Sequence, residues 1–235
     1  MSYKRKVMNS QKDLKIISKT KKEIFTKAKY GPSKITRIPL KLSEDLGFLS
    51  GVIIGDGHLK ISKFQISIEL TDRNLINHIK EIFRNLFERN FNVLPVKTRP
   101  GKKQSFTLRI DSKSIYKLFQ EVFEIPPGKK SHIVRVPTFI FNSNGTIKLS
   151  FLRGIMATEG GKRRRGFGLS TASKQLWEEL IILFENIEIP VLQDKWRHKK
   201  YKKDYYGIAF KAQYMPILMW ECRSGQTGCV YAAVA

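Results

Sequence analysis

The 235-residue sequence has only two cysteines, Cys222 and Cys229, both near its C-terminus. They have no second cysteine pair and no neighbouring histidines, which disfavours a disulfide framework and a zinc site. No apolar run reaches the roughly 18 residues that span a bilayer, and the basic N-terminus lacks the apolar segment of a signal peptide. These absences predict a soluble intracellular protein of the cytoplasm that does not enter a membrane.

Acidic residues are also scarce. The chain has 20 Asp and Glu against 44 Lys and Arg, a formal net charge of +24. Repulsion between like charges opposes a compact fold, so the excess favours a polyanionic partner. An anionic membrane would favour a basic amphipathic helix with exposed aromatic residues. The basic residues here fall largely in predicted strands and loops, which favours nucleic acid.

One short stretch occurs twice. FLSGVIIGDGHL at 48–59 and SFLRGIMATEGGK at 150–162 share an apolar run with small residues, then one acid, then glycine. The two acids, Asp56 and Glu159, are 159 − 56 = 103 residues apart. A single acid before glycine is ordinary turn chemistry on a surface loop. Its repetition in the same context indicates an internal duplication and a shared role for the acids.

Both copies are predicted to be helices. Candidate N-caps are Ser43, with Glu44 and Asp45 behind it, for the first helix and Thr146 or Ser150 for the second. Candidate C-caps are Gly57 and Gly160. The helices also contain Gly51, Gly55 and Gly154, each of which costs roughly 1 kcal/mol relative to alanine. Two helices whose backbones cross closely would explain these glycines.

In that arrangement the two acids lie together at helix C-termini. The helix macrodipole and the repulsion between the carboxylates both disfavour negative charge there. A bound divalent cation would relieve both effects, and hard oxygen ligands favour Mg²⁺ or Ca²⁺. The repeat therefore predicts a metal site formed by Asp56 and Glu159.

Around each copy the pattern predicts helix, strand pair, helix, strand pair, helix. The apolar helix face Leu75, Ile79, Ile82 and Phe83 recurs as Leu176, Leu180, Leu183 and Phe184 at an offset of 101, whereas the two acids are 103 residues apart. The strand pair that follows the second motif, which we call the second ribbon, should therefore be about two residues shorter than the first. Trp177, Trp196 and Trp220 are predicted to be core or partly buried. The predicted divisions are a basic N-terminal extension at 1–41, a first half at 42–124, a linker at 125–145, a second half at 146–223 and a tail at 224–235.

The basic extension is predicted to be partly helical around Asp13–Lys29 and able to follow a phosphate backbone, with a disordered solubilising tail as the alternative. The linker should pack down through its apolar residues Ile133, Val134, Val136, Phe139 and Ile140. Residues Tyr214–Cys222 should form the last helix.

At the two acidic motifs, SGVIIGDGHL and RGIMATEGG, the chain resembles a monomeric two-motif LAGLIDADG homing endonuclease of the archaeal intron-encoded type, over roughly residues 42–223. The resemblance implies an α+β fold, a pseudo-two-fold tandem repeat of αββαββα halves. The motif helices would pack at the interface, and each half would place a curved antiparallel sheet in the DNA major groove. It implies site-specific, Mg²⁺-dependent cleavage of both strands of a long asymmetric DNA target, initiating intron mobility. Ca²⁺ would bind without supporting cleavage, and Mn²⁺ could substitute for Mg²⁺.

By the same resemblance Asp56 and Glu159 would be the metal ligands, together with Gly55 and Thr158, the residues before them. Basic residues beside a metal stabilise charge that develops on phosphate. Lys162 follows Glu159 by three residues, and Lys129 and Lys130 lie where the family often has a lysine, so all three are candidate catalytic residues, with simple phosphate contact as the alternative.

Base contacts should come from alternate residues of the ribbons, because successive strand side chains face opposite sides. The candidates are Lys60, Ser62, Lys63, Gln65, Ser67, Glu69, Lys97, Arg99, Gln104 and Arg109 in the first half, and Arg163, Arg164, Arg165, Ser170, Lys195, Arg197, His198 and Lys200 in the second. The dense KWRHKKYKK run at 195–203 should largely contact phosphate, or else be a solvated loop. Two alternatives remain on this fold: a maturase that binds host intron RNA, and a DNA-binding regulator without catalysis.

Overall fold

The computed structural model describes residues 1–31, 33–97, 100–101, 103–163, 166–199 and 202–219. Its elements form an N-terminal layer followed by two similar halves. In the N-terminal layer they are α1 (Tyr3–Ser10), β1 (Lys15–Lys19), β2 (Glu23–Lys27) and β3 (Thr36–Pro39). In the first half they are α2 (Glu44–Gly55), β4 (Gly57–Leu59), β5 (Gln65–Leu70), α3 (Arg73–Phe87), β6 (Val93–Pro95), β7 (Phe106–Asp111) and α4 (Lys113–Lys117), which continues as a π-helical segment over Leu118–Val122.

The second half follows a connecting segment that contains α5 (Thr138–Phe141). Its elements are α6 (Gly145–Glu159), β8 (Gly161–Arg163), β9 (Gly166–Thr171), α7 (Lys174–Asn186), β10 (Leu192–His198), β11 (Lys203–Phe210), a 3₁₀ turn (Ala212–Tyr214) and α8 (Met215–Leu218). The two four-stranded antiparallel sheets have the same order, β4-β5-β7-β6 and β8-β9-β11-β10. This repetition confirms the predicted fold class.

The second ribbon is shorter, as the two offsets predict. The start of β9 follows that of β5 by 166 − 65 = 101 residues, the offset of the helix faces, whereas the acids are 103 apart. The deletion therefore lies between Glu159 and β9.

Helices α2 and α6 cross with their backbones almost in contact. A methyl group on Gly51 would overlap the carbonyl oxygen of Phe151 and lie 2.8 Å from the nitrogen of Ile155, and one on Gly154 would overlap the carbonyl oxygen of Phe48. The glycines are therefore required by the crossing, as predicted.

The caps of these helices were predicted correctly in part. Ser43 caps α2, because its hydroxyl accepts from the backbone N–H of Leu46. The prediction of Thr146 or Ser150 for α6 is wrong, because the helix begins earlier and its cap is Asn144. Gly160 is the C-cap of α6, whereas the C-cap of α2 is Asp56 itself and Gly57 already belongs to β4.

Each sheet packs one face against its own helix. Ile66, Ile68 and Leu70 of β5 are buried with the predicted apolar face of α3, and Leu169, Ile208 and Phe210 are buried with that of α7. Asp72 and Ser173 cap these helices by accepting hydrogen bonds from backbone N–H groups. Ile61 and Phe64 lie exposed in the turn between β4 and β5.

The N-terminal residues form a packed three-stranded sheet of order β1-β2-β3. Ile24 and Ile38 are buried, as is Val7 of α1. Thr26 Oγ1 donates to Ser114 Oγ of α4 at 2.8 Å. The predictions of a helix around Asp13–Lys29 and of a disordered tail are both wrong, because β2 buries alternate residues and β1, although exposed along its length, pairs with it in the sheet.

The connecting segment packs down through Val134, Val136 and Ile140, as predicted, but Ile133 lies in a turn and is 62% exposed. In the described part of the predicted helix over Tyr214–Cys222, α8 spans Met215–Leu218 after the 3₁₀ turn, and Met219 is extended. Trp220, Cys222, Cys229 and the predicted tail at 224–235 lie outside the described residues. Among the residues that the structure describes, no helix is both long and apolar enough to cross a membrane.

Candidate metal centre and nucleic-acid surface

The crossing of α2 and α6 brings the two acids to one end of the helix pair. Asp56 is the C-cap of α2 and Glu159 is the last residue of α6, and both side chains reach solvent. Partial burial raises the pKa of Glu159, the Asp56 carboxylate raises it further, and Lys130 and Arg163 oppose the increase. Partial burial also raises the pKa of Asp56, against Lys130. The carboxylates are thus close enough to repel each other, as the repeat predicts.

Lys130 lies in the same site. Its Nζ donates to the carbonyl oxygens of Ile54 at 2.5 Å and Gly55 at 2.8 Å. Burial lowers the pKa of Lys130, and Glu159 and Asp56 oppose that decrease. The ammonium group therefore sits at the negative end of α2, where terminal carbonyls have no partner within the helix. Its neighbour Lys129 is exposed and makes no such contact among the described residues.

Arg163, rather than Lys162, lies beside Glu159. The Arg163 guanidinium opposes the raised pKa of Glu159, and its Nη2 donates to Ser170 Oγ at 3.2 Å. Its Nε is buried and has no hydrogen-bond partner within the described part of the chain. Lys162 is exposed on the edge strand β8. The sequence placed Arg163 among the DNA contacts only, because spacing does not show which of two neighbouring basic side chains turns towards the acid.

The donor set suits a hard cation that keeps several water ligands. Within the described ranges, no group of three or more His, Cys, Asp or Glu side chains could hold a metal. Mg²⁺ is commonly held by only one or two carboxylates together with substrate phosphates, and the acid pair fits that mode. Gly55 and Thr158 stay predicted ligands: the Gly55 carbonyl already accepts from Lys130, and the Thr158 hydroxyl is directed at carbonyls of its own helix.

A cavity of about 340 Å³ adjoins the acid site and is lined by His132, which sequence reasoning missed, and by Lys203, which the sequence placed only in the run expected to contact phosphate. His132 Nε2 lies 3.2 Å from Lys203 Nζ, and its Nδ1 lies 3.3 Å from the carbonyl oxygen of Ala172. If Nε2 accepts from the ammonium group, Nδ1 carries the proton and donates to Ala172. The proximity of His132 to Lys130 in the chain was the available signal.

In the first half, three of the predicted contact residues are exposed or partly exposed on the sheet face opposite α3. Ser67 of β5 pairs with Arg109 of β7, and Glu69 is exposed beside them. Lys60, Ser62 and Lys63 lie in the turn after β4, and Lys97 is exposed after β6. Two others are engaged within the protein: Gln65 is 1% exposed and donates to Asp111, and Gln104 Nε2 donates to the carbonyls of Val96 and Ser105.

In the second half the register divides β10 between two faces. Trp196 pairs with Tyr205 on the face that α7 does not cover, which we call the open face. Their rings stack there with centroids 6.0 Å apart. Lys195 pairs with Tyr206, whose ring packs against Trp177 on the helix side. By the same alternation Arg197 faces the helix side, while His198 and Ser170 belong to the open face.

The tryptophans therefore differ. Trp177 is partly buried and its Nε1 donates to the Gly207 carbonyl, as predicted, but Trp196 is 36% exposed and the core assignment is wrong for it. The predicted contacts Arg99, Arg164, Arg165 and Lys200 lie outside the described residues.

Similar solved structures show the fold. The chain is similar to the homing endonuclease I-DmoI in complex with DNA and Mn, with a TM-score of 0.56 and 19% identity over 76% of this chain and 97% of that chain. It is also similar to full-length DUF199/WhiA from Thermatoga maritima, with a TM-score of 0.51 and 13% identity over 74% of this chain and 54% of that one. The protein has the LAGLIDADG fold. No family model matches the sequence.

Curated relatives match the chain over a small part of their own length. In Methanocaldococcus jannaschii they include a probable translation initiation factor IF-2, 25% identical over 75% of this chain and 15% of that protein. The replication factor C small subunit is 28% identical over 71% of this chain and 9% of that protein. The isomerizing glutamine–fructose-6-phosphate aminotransferase is 26% identical over 72% of this chain and 15% of that protein.

Proposed function

We propose that the chain is a site-specific DNA endonuclease that makes a double-strand break by divalent-metal-dependent phosphodiester hydrolysis. The observation that carries the proposal is the meeting of Asp56 and Glu159, one from each half, with Lys130 and Arg163 beside them. Because one chain supplies both halves, a monomer would be sufficient. Because the halves differ in sequence, the target would be long and asymmetric.

Asp56 and Glu159 would hold Mg²⁺, with Mn²⁺ as a substitute and Ca²⁺ as a non-catalytic ligand. When bound, such ions activate water and stabilise the leaving 3′ oxygen. Lys130 and Arg163 would stabilise the negative charge that develops on the scissile phosphate. The buried Nε of Arg163 has no acceptor within the described residues, and a phosphate oxygen would supply one. The glycine-dependent crossing holds the two acids at a fixed separation.

The relatives support a mobile element. The same type of segment occurs in proteins of translation, replication and sugar metabolism, where it makes up 9–15% of each. A segment shared by proteins of such different activities is not required by any one of them. This distribution is expected of a unit that spreads by cleaving DNA. Intron mobility is the form that we propose from the resemblance at the two acidic motifs, and not from these relatives.

An RNA-binding maturase or a DNA-binding regulator would use the same basic sheets. Neither would need two carboxylates gathered at a helix end with a desolvated lysine. The acid site therefore favours the nuclease over both.

Cleavage selection from a randomised or genomic DNA library in Mg²⁺ would test the proposal and identify the target. On that target, Asp56→Asn and Glu159→Gln should abolish cleavage but leave metal-independent binding largely intact. Lys130→Met should slow cleavage by roughly 10²–10³-fold, as loss of one charge-stabilising group does. Lys129→Met is the matched control and should cleave normally.

Full cleavage by either acid variant would overturn the metal assignment. Binding of DNA by the wild-type protein without cleavage in Mg²⁺ or Mn²⁺ would indicate the regulator. Binding of intron RNA without DNA cleavage would indicate the maturase.

A further inference from the structure

The N-terminal sheet and its turns carry a cluster of seven lysines, six of them exposed and Lys27 partly buried. We call this cluster the basic hairpin. Its seven members are Lys15, Lys19, Lys21, Lys22, Lys27, Lys29 and Lys34. Between 15 and 34 the sequence has one acid, Glu23, and that acid already pairs with Arg37. None of the seven ammonium groups has an ion-pair partner among the residues that the structure describes.

The cations that attach this layer to the first half are, by contrast, neutralised. Lys6 pairs with Glu124, and Asp13 pairs with both Lys113 and Lys117 of α4. Arg37 also pairs with Glu88 after α3. The layer therefore uses both of its acids, Asp13 and Glu23, in ion pairs and leaves the seven lysines without one among the described residues. Docking alone does not account for the basic hairpin.

Two of these lysines oppose each other directly. The register of β1 and β2 places Lys15 opposite Lys27. Like charges in direct cross-strand pairs destabilise a sheet. Lysine does protect edge strands against aggregation, and Lys15 and Lys19 lie in the edge strand β1, but four other members, Lys21, Lys22, Lys29 and Lys34, lie outside the strands. A polyanion bound over the hairpin would relieve the repulsion at all these positions.

The layer is connected to the first sheet through α4. Thr26 of β2 bonds to Ser114 of α4, and Tyr116 of the same helix donates its hydroxyl to the Lys60 carbonyl in the β4–β5 turn. Lys113 of α4 lies over the Phe64 ring of that turn, with Nζ 4.9 Å from the ring centroid. The Thr26 end of the hairpin is thus one helix away from this turn, whereas the β1–β2 turn lies beside the residues before α2, where the Lys22 carbonyl accepts from the Leu40 N–H at 2.8 Å.

We propose that the basic hairpin is a second DNA-binding surface, which holds the phosphate backbone of duplex DNA outside the segment on the two sheets. Lysine is a point charge that contacts phosphate without reading sequence. Single-stranded partners are held by rows of exposed aromatic rings, and Tyr30 is the only aromatic residue of the described part of 15–34 that is fully exposed. The inference rests on the DNA-binding part of the proposed function and adds a contact outside the cleavage site.

The test compares three full-length proteins without metal. The hairpin variant carries Lys19→Gln, Lys21→Gln and Lys22→Gln. The control variant removes the same charge from the helices that cover the other sheet faces, through Lys80→Gln, Arg84→Gln and Lys174→Gln. A third variant, with arginine at 19, 21 and 22, retains the charge. Binding is measured by fluorescence anisotropy against non-specific DNA duplexes of about 20 and 60 base pairs over a series of KCl concentrations.

The hairpin variant should bind the long duplex about tenfold or more weakly, and its plot of log affinity against log salt should lose a slope of about two to three, because each lost phosphate contact removes ~0.9. Its affinity for the short duplex should change much less. The control and arginine variants should match the wild type. Equal thermal unfolding of all the proteins would show that the hairpin variant is folded.

If the hairpin variant has the wild-type affinity and salt slope for the long duplex, the inference is overturned but the proposed function is not. A similar loss in the control variant would show that net charge, not the hairpin, is responsible. A loss of binding to an RNA hairpin without a loss for duplex DNA would replace DNA with RNA as the partner. Absence of DNA binding by the wild-type protein would instead defeat the proposed function.

Discussion

Asp56 and Glu159 are harder to ionise in the folded protein than in the unfolded chain, because partial burial raises the pKa of both and Asp56 raises that of Glu159 further. A carboxyl group whose pKa is higher in the folded state contributes stability below its unfolded pKa. That stability is lost as the pH rises through the folded pKa. At neutral pH the metal-free protein therefore carries a destabilising pair of charges.

Removing either charge should stabilise the metal-free protein. Asp56→Asn and Glu159→Gln are expected to raise the melting temperature at pH 7, and the effect should shrink as the pH falls through the raised pKa values and the wild-type acids gain protons. The increase should be modest, because both carboxylates reach solvent. Differential scanning fluorimetry across pH would measure it, with Glu185→Gln on the exposed side of α7 as the control.

Divalent metal should reverse the order of the melting temperatures of the wild type and the two amide variants. Mg²⁺ or Ca²⁺ should raise the melting temperature of the wild type but not of the amide variants, and the wild-type increase should diminish as the pH falls, because metal binding requires ionised carboxylates. Destabilisation by both substitutions in metal-free buffer would contradict the assignment of a repulsive pair.

At the scale of elements, the crossing of α2 and α6 combines core packing with placement of the site. Gly51→Ala should reduce the free energy of unfolding by roughly 1–3 kcal/mol or more, because the added methyl group overlaps Phe151 of the opposite helix. For a chain of this size, each kcal/mol lost lowers the melting temperature by about 2–4 °C. Cleavage should fall as well, since a shift of α2 moves Asp56 relative to Glu159.

Gly145→Ala is the matched control for this prediction. It lies at the start of α6 with no atom within 4 Å of an added methyl group, so the substitution should be neutral or slightly stabilising. Urea denaturation would measure both variants. Equal stability of Gly51→Ala and the wild type would show that the helices can separate without loss.

Sequence reasoning succeeded where structure follows from short-range rules. Ser43 caps the helix expected of it, and the apolar periods predict α3 and α7. The doubled motif located both the helix crossing and the acid pair. These features depend on residues within a few positions of one another, or on the repetition itself.

It failed where the answer depends on distant packing. A helix was predicted in place of β1 and β2. The sequence of this segment is rich in lysine and does not show that Ile24 and Thr26 are buried against the first half. Likewise, spacing could not separate Lys130 from Lys129 or Arg163 from Lys162. Which neighbour points into the site is decided by how the connecting segment and β8 pack against the helix ends.

At the scale of the whole molecule, a formal charge of +24 acts on folding and on DNA binding in opposite ways. Repulsion among like charges destabilises the compact state of the free protein, whereas the same charges attract phosphate. Salt screens both interactions, reducing the Debye length from about 30 Å at 0.01 M to about 10 Å at 0.1 M. The two properties should therefore respond to salt with opposite signs.

We expect the melting temperature of the free protein to rise as KCl increases from about 0.01 M to 0.1 M, while affinity for a non-specific duplex falls steeply, by about 0.9 in log-log slope for each phosphate contacted. Thermal unfolding and anisotropy in matched buffers would measure the two trends. The hairpin variant, which lacks three unpaired lysines, should show a smaller rise in melting temperature than the wild type, because fewer repulsive pairs remain to be screened. A melting temperature that falls with salt would mean that ion pairs such as those of Asp13 and Glu124 outweigh the repulsion, and that the excess of lysine is tolerated by the fold without a bound polyanion.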